Sequence, residues 1–171
     1  LIGLERTGHS TDKIEVIVSG GSFTSYPRRY QTNFTLGIFN ALNGRKVRSL
    51  KEAQEINETA KHRCIGLSFE TRPDEINEEN LKYLRELGCT KIELGVQTLD
   101  DEIYKKNNRG HTVAQVREAF RLCKDAGFKI NAHMMPNLYG SDLKKDYEMF
   151  VKLFSDSDFR PDWLKIYPCL V

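Results

Sequence analysis

Glycine, carboxylate, guanidinium and imidazole groups recur in this sequence directly after short apolar runs. The segments are Gly20-Gly21-Ser22-Phe23, Glu70-Thr71-Arg72-Pro73-Asp74, Gly95-Val96-Gln97 with Glu93 just ahead of it, His133-Met134-Met135-Pro136 and Tyr167-Pro168-Cys169. The glycine pair suits a tight turn, and the carboxylates suit charge pairing, structural or with a ligand. Period-two alternation puts Glu93, Gly95 and Gln97 on one strand face and Glu70 on a face with Ser68, Gly66 and Cys64. If those faces look inward, carboxylates enter the core. The glycines do not form a G-x-G-x-x-G fingerprint and no G-x-x-x-x-G-K-[ST] run occurs, so dinucleotide and P-loop chemistry lose support. His133 has no His or carboxylate at metal spacing, and taken alone it reads as a core histidine. Arg109, in Arg109-Gly110-His111 ahead of a helix, reads alone as a loop charge. These segments assign no catalytic side chain and no metal ligand.

Strands must bring such segments together. Five apolar runs rich in β-branched residues have strand character: Ile14 to Val18, Ile65 to Phe69, Ile92 to Gln97, Phe128 to Met134 and Trp163 to Tyr167. Helical patterns fill the gaps. Thr112 and Gln115 form a capping box ahead of Val113, Val116, Phe120 and Cys123, and Gly127 closes that helix. Asn77 caps a second, with Ile76 and Leu81 spaced as a hydrophobic staple, Leu84 on the same face and Gly88 at the end. Pro27 opens a third whose apolar face reads Tyr30, Phe34, Ile38 and Leu42, and Ser49 with Glu52 opens a fourth. Ser141 starts the last, with Leu143, Tyr147, Phe150 and Phe154, while Asn43-Gly44-Arg45 marks an exposed break. Alternating strands and helices predict an α/β fold with parallel strands and right-handed crossovers. Five such units fit a doubly wound sheet or part of a barrel, and both place ligands at the carboxyl ends of the strands. A closed eight-unit barrel takes about 250 residues, so this chain does not close one alone.

Composition narrows the classes further. With 26 Lys and Arg against 24 Asp and Glu the net charge is +2, and the basic groups Arg28-Arg29, Arg45-Lys46 and Lys105-Lys106 are scattered, a weak nucleic-acid signal. Hydrophobic residues at 39%, charged residues at 29%, five Pro and 12 Gly exclude collagen-like and low-complexity chains and predict one core. No apolar run reaches the roughly 18 residues a membrane helix needs. Cys64, Cys89, Cys123 and Cys169 lie 25, 34 and 46 positions apart, without a CxxC, which predicts reduced thiols and a cytoplasmic setting.

Several longer runs, in order and spacing, resemble one family: Ser19-Gly20-Gly21-Ser22-Phe23-Thr24, Cys64-Ile65-Gly66-Leu67 into Glu70-Thr71-Arg72-Pro73-Asp74, Glu93-Leu94-Gly95-Val96-Gln97, Asn108-Arg109-Gly110-His111-Thr112, Ala132-His133-Met134-Met135-Pro136 and Phe159-Arg160-Pro161-Asp162. They are similar to the catalytic subunits of Elongator, which join a radical S-adenosylmethionine (radical SAM) domain to an acetyltransferase-like domain and modify the wobble uridine of tRNA. The resemblance spans about Thr7 to Val171. It implies a partial TIM-like barrel of the radical SAM type with about five parallel strands. Residues 1–171 would be the central part of that domain, with a cluster-binding segment upstream and the acetyltransferase-like domain downstream. A [4Fe–4S] cluster needs three closely spaced cysteines, and no such triplet occurs here, so its ligands are expected outside this chain.

Carried residue by residue, Gly20, Gly21 and Ser22 resemble the segment whose backbone receives the methionine amino group of S-adenosylmethionine, where a side chain would block the approach. Glu70 resembles the carboxylate facing that amino group, Gln97 a ribose partner and Arg109 a partner for the cofactor's carboxylate, a pair that can be bidentate. His133 and Met134 lie on the strand that reaches the nucleoside in related enzymes. Ser19, Ser22 and Asn137 depart from the residues more common in the family, Met, Thr and Asp. The resemblance further implies radical cleavage of S-adenosylmethionine, hydrogen abstraction from acetyl-CoA and addition to carbon five of uridine. It implies tRNA as partner, with other Elongator subunits or a second copy as further candidates. Tyr26, Tyr139 and Tyr167 stand near strand ends, where RNA contact or radical quenching competes with plain packing.

Three rival readings compete. A coproporphyrinogen dehydrogenase-like radical SAM enzyme would share the glycine pair, the strand-end Glu and Gly95-Val96-Gln97. A non-catalytic module could dock tRNA or Elongator subunits through basic loops. An aldolase-like barrel would need a Schiff-base lysine, but Lys91, Lys129 and Lys165 read as lying near strand starts.

Overall fold

In the computed structural model, residues 1–170 are described. Strands β1 (Lys13–Val18), β2 (Arg63–Thr71), β3 (Lys91–Gln97), β4 (Lys129–Met134) and β5 (Trp163–Ile166) alternate with helices α1 (Ile2–Arg6), α2 (Arg28–Asn43), α3 (Leu50–Asn57), α4 (Glu78–Glu86), α5 (Asp101–Lys106), α6 (Val113–Asp125) and α7 (Leu143–Ser155). All four strand pairings are parallel and the order is β1-β2-β3-β4-β5. A doubly wound sheet reverses its order at a switch point, and this one never does. The two options left open by the sequence thus resolve to a curled half-barrel. Its inner face carries Glu93, Asn131, His133 and Lys165. Its outer face packs Leu67, Phe69, Ile92, Leu94, Val96, Ile130, Ala132 and Met134 against the helices.

The caps do what the sequence predicts. Thr112 and Gln115 close a full capping box on α6, Asn77 accepts from the Asn80 N–H at the start of α4, and Ser49 accepts from Glu52 on α3. Each such cap contributes about 1 kcal/mol. Leu81, Leu84, Val116, Phe120 and Cys123 are buried as their spacing requires.

Three expectations need correction. The last helix is capped by Asp142, not Ser141, whose hydroxyl instead donates to Asp146. Its buried face is Met149 and Leu153, while Leu143, Tyr147 and Phe154 are exposed. On α2 the inward residues are Gln31, Thr35, Phe39 and Leu42, and Tyr30 and Phe34 are exposed. Gln31 and Thr35 tolerate that position because their side chains donate to the carbonyls of Tyr26 (2.6 Å) and Gln31 (2.9 Å). Helices α1 and α5 were not anticipated, since five and six residues are too few to show a period.

Candidate functional site

The loop after β1 is fixed by chemistry from β2. Gly20 and Gly21 take φ of +126° and +112°, which only glycine adopts without strain, and both aim their N–H groups at Glu70 Oε2, 2.8 and 3.2 Å away. Phe23 then stacks on Phe69 at 4.2 Å, and Thr24 meets the Thr71 hydroxyl at 2.6 Å. The turn therefore closes over the end of β2. Burial opposes the charge on Glu70, but the bonds from Gly20 and Gly21 outweigh it and hold the carboxyl below its usual range. Glu70 forms no salt bridge among the described residues, and its neighbour Arg72 pairs with Asp74.

Gln97 ends β3 with φ +73°, an uncommon conformation for a side chain other than glycine or asparagine, at an irregularity in its pairing with β4. Its carbonyl accepts from the Met135 N–H at 2.8 Å, which holds that conformation. Arg109 leaves the end of α5 and returns toward β3, its guanidinium 3.4 Å from the Gly95 carbonyl. It is half-buried, not a solvated loop charge. Burial, and after it the neighbouring Arg72 guanidinium, pull its pKa below the ordinary value.

Deeper on the inner face, Glu93 is fully buried and its Oε2 accepts from His133 Nε2 (2.8 Å), Lys165 Nζ (2.8 Å) and Asn131 Nδ2 (2.9 Å). Burial opposes that charge, yet the bonds from His133 and Lys165 prevail and bring Glu93 down to about 2. Lys165 is raised: burial works against its charge and the Glu93 bond outweighs it. Lys165 pairs in register with His133 near the end of β5, so the expectation that it lies near a strand start is incorrect. The alternation Trp163, Lys165, Tyr167 was the sequence signal for its inward aim.

These groups surround a cavity of about 290 Å³ at the carboxyl ends of the strands, lined by Gly21, Ser22, Glu70, Gln97, Arg109 and His133 among the expected residues, and by Thr71, Arg72, Glu93 and Gly95 besides. Gly20 adjoins it through Glu70. Met134 does not: adjacent strand residues face opposite ways, and Met134 is fully buried in the outer hydrophobic cluster. Tyr26, Tyr139 and Tyr167 are at least 47% exposed, although Tyr26 packs beside Tyr30 at 4.9 Å and Tyr167 beside His133 at 5.7 Å. A larger groove of about 530 Å³ lies between α4 and α6, where both arginines are already engaged: Arg121 with Glu118 and Asp125, Arg85 with the carbonyls of Cys89 and Ala126.

The sequence pattern of the Radical SAM superfamily matches residues 4–150. The chain belongs to that superfamily. It is 48% identical over 168 residues to a protein of Methanocaldococcus infernus named tRNA uridine(34) acetyltransferase, covering 98% of this chain and 32% of that protein. It is 44% identical to Elongator complex protein 3 of Homo sapiens, covering 31% of it. A solved structure of the archaeal Methanocaldococcus infernus Elp3 with an N-terminal deletion superposes with a TM-score of 0.96, covering 99% of this chain and 40% of that one. The Escherichia coli coproporphyrinogen III oxidase, a radical SAM enzyme, shares the fold at 15% identity and a TM-score of 0.57. The chain thus spans about a third of the length of the curated relatives it matches.

Radical SAM membership raises two fits to test. For S-adenosylmethionine the site is suited. Gln97 Oε1, Glu93 Oε1 and Arg109 Nε are buried without a partner, ready for donors and an acceptor, and a Cβ on Gly95 would sit 3.4 Å from Gln97 and 3.7 Å from Arg109 in the space a ligand needs. For an iron–sulfur cluster the described residues are not suited. Cys89 and Cys123 are sealed in the core with thiols pushed up to about 12 by burial, and no group of three His, Cys, Asp or Glu stands at metal-holding distance among the described residues. No helix among them is long and apolar enough to cross a membrane.

Proposed function

We propose that this chain forms the S-adenosylmethionine-holding wall of an enzyme that modifies the wobble uridine of tRNA. The observation that carries the reading is the convergence of Gly21, Ser22, Glu70, Gln97 and Arg109 on one cavity at the strand ends, in a chain 48% identical to tRNA uridine(34) acetyltransferases. In this reading the glycine turn and Glu70 bind the methionine ammonium, Arg109 its carboxylate and Gln97 the ribose, with His133 flanking the nucleoside. Bound there, S-adenosylmethionine supplies radical chemistry, and the protein's contribution is orientation and exclusion of water. Glu93 keeps His133 and Lys165 in fixed positions and maintains an ionised floor. The cluster, acetyl-CoA as acetyl donor, further Elongator subunits or a second copy, and a cytoplasmic location complete the proposal from the full-length relatives.

The test is activity of the full-length protein with tRNA, acetyl-CoA and S-adenosylmethionine under anaerobic reduction, read by mass spectrometry of uridine 34. Modified uridine that disappears in Arg109→Ala supports the reading. Turnover of a porphyrinogen in place of tRNA favours the coproporphyrinogen relative. Salt-sensitive tRNA binding without any product favours a docking module.

A further inference from the structure

We propose that Arg72 is a positioning residue that sets Arg109 for an anionic ligand group, with Asp74 as its anchor. The inference rests on the reading of Arg109 as a carboxylate partner and extends it to residues that do not themselves hold the carboxylate.

The geometry is a three-point fixation of Arg109. Its N–H donates to the Tyr104 carbonyl at 3.0 Å, its own carbonyl accepts from Arg72 Nη2 at 2.8 Å, and its guanidinium reaches the Gly95 carbonyl at 3.4 Å. Residues on either side take left-handed conformations, Asn108 at φ +50° and Gly110 at φ +75°. A Cβ on Gly110 would lie 3.3 Å from Arg72 Nη2, so the glycine leaves room for the Arg72 fork. Without the bond from Arg72, Arg109 itself would be held by the Tyr104 contact and the long Gly95 contact.

Arg72 is held in turn by a bidentate pair with Asp74, Nε to Oδ1 at 2.9 Å and Nη2 to Oδ2 at 3.0 Å. The pair is planar and directional, and a lysine cannot reproduce it. It also divides the charge. Two guanidiniums share one wall of the cavity. Asp74 neutralises Arg72, so Arg109 remains the uncompensated cation facing the ligand. His111, with Nδ1 3.8 Å from Asp74 Oδ1 and its ring 4.5 Å from Tyr104, packs beneath the same turn. Arg72, Asp74, Tyr104 and His111 thus form the base on which the Arg109 turn sits.

Two ligands separate this role from general support of the cavity. S-adenosylmethionine carries the carboxylate, and 5′-methylthioadenosine keeps the nucleoside and sulfur and lacks it. With the full-length protein, reconstituted anaerobically, Arg72→Lys weakens S-adenosylmethionine binding by roughly five- to thirtyfold and leaves methylthioadenosine within about twofold. Asp74→Asn shifts in the same direction by less, and in an Arg109→Ala background Arg72→Lys adds nothing. Should Arg72→Lys fail to fold, seen as loss of the cooperative thermal unfolding transition, Asp74→Asn decides by the same comparison. Equal weakening of both ligands, full affinity for both, or an additive loss in the Arg109→Ala background each overturns the proposal. If Arg109→Ala itself keeps full affinity, the carboxylate reading of Arg109 fails and this inference with it. If Arg109→Ala weakens binding while Arg72→Lys does not, only the inference fails.

Discussion

Glu70→Gln isolates charge from shape at the centre of the site. In the native turn Oε2 of Glu70 takes the N–H groups of Gly20 and Gly21 at 2.8 and 3.2 Å. A glutamine oxygen can accept the same two bonds. Its amide nitrogen then replaces the second carboxylate oxygen and presents a donor to the ligand ammonium. The turn loses charge assistance, worth about 1 kcal/mol at this half-exposed position, which lowers the unfolding midpoint by about 2–4 °C. The ligand loses a charge-assisted bond, about 1.5–3 kcal/mol, or roughly ten- to a hundredfold in affinity. Titration calorimetry with S-adenosylmethionine and thermal unfolding, both on the full-length protein, read the two effects separately. Affinity unchanged with a midpoint lowered by more than about 10 °C would refute the assignment and leave Glu70 a structural carboxylate.

Other consequences are as direct. The folded Glu93 carboxyl titrates at about 2 against 4.5 for a free glutamate, so its contribution to stability is complete above the free value and is lost as pH falls toward 2; thermal unfolding between pH 6 and 2 shows a steeper decline in the native protein than in Glu93→Gln. Phe120, fully buried with its ring edge-on to Phe159 at 5.6 Å, costs about 3–5 kcal/mol when replaced by Ala, measured by chemical denaturation. The 171-residue polypeptide expressed alone takes up no stoichiometric iron–sulfur cluster on anaerobic reconstitution, read from its visible absorption, because Cys89 and Cys123 are sealed in the core. The same polypeptide associates on gel filtration, since β1 and β5 are both open sheet edges; a sharp monomer peak would contradict this.

The fold was legible where local and periodic signals agree. Thr112 with Gln115, Asn77 with Leu81 and the β-branched runs place α6, α4 and all five strands, because caps and alternation act within a few residues. The faces of α2 and α7 were misread for a physical reason. An apolar tally cannot see that the Gln31 amide and the Thr35 hydroxyl donate to nearby carbonyls and can be buried, nor which of two apolar stripes on α7 faces the core. At the site, the strand-end positions of Glu70 and Gln97 followed from sequence order, whereas Arg109, in the turn between α5 and α6, read alone as a loop charge and entered the site only through the family resemblance. The aim of Lys165 at Glu93 depends on cross-strand register, which only the pairing of β4 with β5 supplies. Met134 was excludable from the sequence: alternation already forbids it from sharing a cavity with His133. The bond from Arg72 to the Arg109 carbonyl joins residues 37 apart in the chain and had no local signal.

A crystal structure of the full-length protein with S-adenosylmethionine bound tests the central claim most directly. The account predicts the methionine ammonium within hydrogen-bonding distance of Glu70, its carboxylate on Arg109 and the ribose on Gln97, with the glycine turn unchanged. A cofactor seated elsewhere, or one that leaves Glu70 and Arg109 without contact, would contradict it.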